Sequence, residues 1–126
     1  MNKNSRDFAL IARIYQYCLE IEETVNRFGD SFKQFSVDKI YRNAVGMCII
    51  QIGELAGRLS KEFITANPEI PWRSIKAMRN IIAHTYGSAD IHDIWGTIKN
   101  DIPGLGIYCL ELMRRVSGGL SGGRGY

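Results

Sequence analysis

The chain has 126 residues, enough for one domain that buries about two-thirds of its unfolded surface without disulfide or metal staples. With 45% hydrophobic and 23% charged residues it is composed like an ordinary globular protein, which excludes a disordered or fibrous chain. A formal net charge of +3 permits an anionic partner without requiring one, so any case for nucleic acid must come from local clustering.

In chain order, Asn4 or Ser5 is placed to cap a first helix, with Asp7 favourable in its first turn. Phe8, Ile11, Tyr15, Cys18, Ile21 and Val25 recur at three- and four-residue steps, and Leu10, Ile14 and Phe28 widen the stripe. That is an amphipathic helix ending near Gly29-Asp30. The acidic group Glu20, Glu22 and Glu23 reads as a solvated face. Phe32 and Phe35 put two aromatics into the connection, so it is expected to pack down on the body. A second helix is predicted from Ser36–Asp38 to about Ala66, with Ile40, Ala44, Met47, Cys48, Ile50 (or Gln51), Ile52, Leu55, Leu59 and Phe63 at helical spacing. Gly46, Gly53 and Gly57 interrupt it, each costing about 1 kcal/mol against Ala. Close approach of a neighbouring helix explains them, and a kink is the competing explanation.

Pro68 and Pro71 break that helix, and Pro71 suits the start of the next one, which is expected to end at Gly87. Asp90 is placed to cap a helix using Ile91, Ile94, Trp95 and Ile98, ended by Pro103. A last helix uses Leu105, Ile107, Tyr108, Leu112 and Val116. Residues 117–126 contain five glycines and are expected to form a flexible tail behind a domain spanning 1–116. No stretch alternates with period two. The fold class is all-α, an antiparallel bundle of four to five helices.

The three cysteines, Cys18, Cys48 and Cys109, are far apart, sit among apolar residues and form no CxxC pair; His84 and His92 have no cysteine neighbours. Metal-ligand spacing is absent, and buried free thiols in a reducing compartment are expected. No signal peptide precedes the first helix and no apolar run is long enough to span a bilayer, so a cytoplasmic location without membrane attachment is expected.

The densest chemistry lies between Pro71 and Tyr86. On a wheel of about 100° per residue with Arg73 at zero, Lys76, Asn80 and His84 fall within roughly 60° of it. Ile75, Met78 and Ile82 gather opposite and should face the core. Arg79 and Tyr86 form a second row at the edge of the apolar face. A basic row carrying an imidazole suits a phosphodiester. Metal-free RNA cleavage needs a group to take the 2′-hydroxyl proton, one to protonate the leaving oxygen, and a cation for the phosphorane charge. His84 titrates in the right range, Arg79 offers a donor fork, Asn80 can orient phosphate or imidazole, and Tyr86 can stack on a base. A plainer reading stands beside this one: a histidine near a helix C-terminus often serves only the last carbonyls, and an arginine beside it is often just solvated. Arg79 and His84 also lie about 140° apart on an ideal helix. The arginine reaches around, or the helix distorts, or a second copy of the chain completes the site.

Arg79-Asn80-Ile81-Ile82-Ala83-His84-Thr85-Tyr86 resembles the motif of an Arg, four residues, His, any residue and Tyr found in HepT-like toxins of the HEPN superfamily. The resemblance extends to Ile52-Gly53-Glu54-Leu55-Ala56, to Pro68-Glu69-Ile70-Pro71-Trp72-Arg73 and to Asp101-Ile102-Pro103, and so covers the chain to about residue 116. It implies a homodimeric HEPN-like bundle with a composite cleft and a metal-independent endoribonuclease that needs no cofactor. It further implies the toxin of a type VII-like toxin–antitoxin pair, whose antitoxin is a minimal nucleotidyltransferase of the MntA kind that transfers AMP to the motif tyrosine. Carried over by position, Arg79 and His84 are catalytic, Asn80 supports them, Arg73 and Lys76 bind RNA, and Tyr86 accepts the adenylyl group. The alternative is a non-catalytic helical subunit that binds nucleotide or scaffolds a nucleotidyltransferase. The glycine-rich tail has no counterpart in the resemblance.

Overall fold

The computed structural model describes residues 3–85 and 91–122. Helices make up the described chain: α1 (Lys3–Phe28), α2 (Phe32–Val37), α3 (Lys39–Ala56), α4 (Lys61–Ala66), α5 (Trp72–Thr85), α6 (Ile91–Gly96), a π-helical turn (Thr97–Asp101) and α7 (Ile102–Gly122). There is no strand among the described residues. The fold is an all-α bundle in which α3 is central: α1 packs on one side of it, α5 on another, and α7 packs on α1.

Local chemistry sets most boundaries. α1 starts at Lys3, so Asn4 and Ser5 lie inside it rather than capping it. It ends at Gly29, whose φ of 121° is open to glycine but strained for any L side chain. The aromatic connection is itself a short helix, N-capped by Ser31, whose hydroxyl oxygen accepts from the backbone N–H of Gln34 and whose hydroxyl donates to Gln34 Oε1. Phe35 is fully buried there, as expected of an aromatic connection that packs down. Asp38 then caps α3 by accepting from the N–H groups of Ile40 and Tyr41 at 2.9 and 3.2 Å.

The single second helix expected from the sequence is two. α3 stops at Ala56 with Gly57 as its C-cap, and Ser60 starts α4 by accepting from the Phe63 N–H. The apolar spacing hides this break, since Leu59 and Phe63 keep step across it. The break is fixed from outside. Asp7, 3% exposed and not a solvent-facing dipole partner, accepts from the Ser60 backbone N–H at 2.8 Å and from its hydroxyl at 2.6 Å. The buried face of this stretch keeps the expected Cys48, Ile52, Leu55 and Leu59 but departs from the expected one at Ile40 and Met47. Tyr41, Val45, Cys48, Ile49, Ile52 and Leu55 are buried, whereas Ile40 and Met47 are 65% and 57% exposed.

Pro103 does not end a helix. α6, the π turn and α7 follow without interruption, and the Ile102 N–H reaches back five residues to the Thr97 carbonyl. The widened turn lies just where the missing proline donor would break an α ladder, so Pro103 sits in the first turn of α7. α7 continues to Gly122, past residue 116 where a glycine-rich tail was expected to begin; residues 123–126 lie outside the described residues. The N-capping expectation for Asp90 and the C′ role of Gly87 also fall outside them.

One end of the bundle is aromatic, with Phe28, Phe32, Phe35, Tyr41 and Trp95 in stacked and edge contacts, and His92 stacked on Phe32 at 4.1 Å. The thiols expected to be buried and free are both. Cys18 on α1, Cys48 on α3 and Cys109 on α7 make no disulfide. Burial pushes Cys48 and Cys109 from 9.0 up to about 12, helped at Cys48 by its hydrogen bond to Glu20.

Candidate active site

The motif helix α5 is anchored at its start. Trp72 is 5% exposed, its indole N–H donates to the Asn67 carbonyl at 2.9 Å, and its ring meets Phe63 edge-on. Asn67 in turn donates to the Phe63 carbonyl and accepts from the Tyr108 hydroxyl. One asparagine therefore ties together α4, α5 and α7. This fixes the rotation of α5 about its axis, and that rotation decides which motif residues reach solvent.

Arg73, Lys76 and Asn80 are exposed in one row, as the wheel requires, and Ser74 and Ala77 beside them are exposed too. Ile75 is half-buried toward α3. The backbone of α5 carries His84 in its last turn, but its side chain, like those of Met78 and Ile82, lies outside the described residues, and so does Tyr86 altogether. The structure therefore brings Arg73, Lys76, Asn80 and Arg79 onto one helix without showing how Arg79 meets His84.

Arg79 occupies the seam between α5 and α3. Its Nη1 donates to Glu54 Oε1 at 2.8 Å, with the two side chains 35% and 42% exposed. Its Nε is buried and has no hydrogen-bond partner among the described residues. Its stem rests on Gly53: a Cβ built there would stand 2.2 Å from Arg79 Cβ and 2.8 Å from Arg79 Cγ. Of the two explanations for the helix glycines, close approach holds at Gly53. Glu54 is the residue that reading the sequence for catalytic side chains passes over. The signal was present, because an arginine at the border of an apolar face needs a counter-charge from the helix it packs on. Only the pairing of α3 with α5 says which acid supplies it.

Chemically, this face offers a fixed guanidinium and a row of exposed donors, suited to phosphate oxygens. Among the described residues no group of three or more His, Cys, Asp or Glu stands close enough to hold a metal ion, and none of the helices is long and apolar enough to cross a membrane. An apolar groove of about 440 Å³ between α3, the first turn of α5, the π turn and α7 is floored by Ile52, Ile75, Ile102 and Leu105 and does not include Arg79.

Comparison with known proteins adds the family. The model of the Ribonuclease HepT-like family matches residues 14–112, most of the chain. A protein of Thermococcus cleftensis named "Probable ribonuclease HepT" is 38% identical over 74 residues, covering 59% of this chain and 67% of that protein. A candidate RNase of Caldanaerobacter subterraneus is 31% identical over 105 residues, covering 83% of this chain and 92% of that protein. Another, from Methanocaldococcus jannaschii, is 28% identical over 93 residues. No solved structure matches the chain.

Proposed function

Because the chain belongs to the HepT-like ribonuclease family, we propose that it is a metal-independent endoribonuclease, the toxin of a toxin–antitoxin pair of the type VII kind. Family membership supports the reading. So does the placement of Arg79, a guanidinium held at 2.8 Å from Glu54 on the same helix as the exposed row Arg73, Lys76 and Asn80. In this reading Arg73 and Lys76 bind the RNA backbone by charge. Arg79 meets the scissile phosphate and offsets the charge that grows on its oxygens as the 2′-hydroxyl attacks phosphorus. His84 moves the proton, taking it from the 2′-oxygen or returning one to the departing 5′-oxygen. Asn80 orients the phosphate or the imidazole.

Arg79 and His84 point about 140° apart on an ideal helix, so one α5 does not aim both at one phosphate. A homodimer that sets two α5 helices face to face supplies Arg79 from one copy and His84 from the other. Tyr86, two residues beyond His84, is the adenylylation acceptor for a nucleotidyltransferase antitoxin. The added AMP brings negative charge beside the phosphate path and repels RNA.

Cleavage of RNA by the purified protein in excess EDTA tests the reading. Wild type is expected to cut, and His84→Ala to remain dimeric and not cut. A wild-type protein that binds RNA or nucleotide without cutting would show a non-catalytic subunit instead. With ATP and a cognate nucleotidyltransferase, label is expected on wild type and absent from Tyr86→Phe. Equal labelling of both would remove Tyr86 from its role.

A further inference from the structure

We infer that Gly53 and Glu54 of α3 form a positioning device for Arg79, with Gly53 seating its stem and Glu54 orienting its guanidinium. The inference rests on the ribonuclease reading for its consequence but not for its geometry. An arginine side chain has many rotamers, and holding its head in one place requires restraint at both ends. The lower restraint is steric. No side-chain atom fits at position 53, since even a Cβ would stand 2.2 Å from Arg79 Cβ, and the Ile75 carbonyl oxygen lies 3.4 Å from the same point. The arginine stem thus lies directly on the α3 backbone.

The upper restraint is the ion pair, at 2.8 Å and on the residue next to the seat. Its partial exposure means it adds little to stability, so orientation is the larger effect of the carboxylate. Nε is buried between the helices and has no hydrogen-bond partner among the described residues. Turning that edge inward leaves the outer guanidinium as the part of the side chain that reaches solvent. Glu54 accepts one N–H of Nη1 and leaves the other guanidinium donors for a phosphate.

The test uses the purified protein and a short RNA in EDTA. Glu54→Ala is expected to lower kcat by about 10- to 100-fold with KM changed little, the signature of a misplaced transition-state contact. Glu54→Gln, which keeps an acceptor oxygen for Nη1 but cannot exchange a proton, is expected to restore most of the rate with an unchanged pH profile. The Nε–H resonance of Arg79, assigned by its absence in Arg79→Lys, reports the seat without any RNA. It should be protected from exchange in wild type and Glu54→Gln and lost in Glu54→Ala.

Full activity in Glu54→Ala would overturn the proposal. So would a Glu54→Gln variant as impaired as Glu54→Ala and lacking the acid limb of the profile, because Glu54 would then be transferring protons. If wild type cuts no RNA, the ribonuclease reading fails, and the Nε–H resonance alone decides the seat.

Discussion

Arg79 and the outer row of Arg73, Lys76 and Asn80 share one helix but not one environment. The outer row is exposed, and its two basic side chains, Arg73 and Lys76, are long and rich in rotamers, so it supplies charge without direction. Arg79 lies in the α3–α5 seam with its stem on Gly53 and its head on Glu54, so it supplies charge with direction. Under the proposed function, the difference would separate recognition from catalysis along one helix. A row that tracks a phosphate backbone gains from mobility, whereas a group that meets one developing charge must already be in place.

The comparison is broken most directly at Arg79. Arg79→Ala is expected to cut kcat by about 10²- to 10³-fold, measured on one RNA in EDTA, with RNA affinity lowered far less. A variant that lost affinity and rate together would place Arg79 with the outer row. Gly53→Ala comes next. The added methyl forces α5 away from α3 and should destabilise the fold by about 1–3 kcal/mol, read as a lower urea midpoint. Smaller again is the effect of Arg73→Ala or Lys76→Ala. Each should weaken RNA binding across sequences and reduce the slope of log affinity against log salt by about 0.7 per lost phosphate contact on a single strand, with kcat preserved.

The thiols, remote from both rows, give the smallest effect at neutral pH. Cys48 and Cys109, raised to about 12, should resist a thiol reagent until the chain unfolds. Their raised values also set a direction with pH. The unfolded chain releases those protons from about pH 9. Stability from the buried neutral thiols is therefore complete below that pH and is lost as pH climbs toward 12. Urea midpoints at pH 8 and pH 10 measure it.

Legibility in the sequence followed the range of the forces involved. Amphipathic spacing made α1 readable almost to its ends, and the wheel put Arg73, Lys76 and Asn80 on the open face, because both depend on residues a turn or two apart. The break between α3 and α4 was invisible. It depends on Asp7, 53 residues from Ser60, replacing helical hydrogen bonds that the local pattern allows. The run from α6 through Pro103 into α7 was misread for a related reason: a π turn lets a helix pass a proline that a strict four-residue ladder would not.

The sequence by itself determined the helical class, the basic row of α5 and the family motif from Arg79 to Tyr86, since period, charge and motif are written in neighbouring residues. The tertiary structure alone decided the rotation of α3, with Tyr41 and Val45 inward and Ile40 and Met47 outward, and the partnership of Arg79 with Glu54. Both are choices between helix faces of similar apolarity. They are settled by which neighbour packs where, and at the candidate site by a glycine small enough to let an arginine lie on the backbone of another helix.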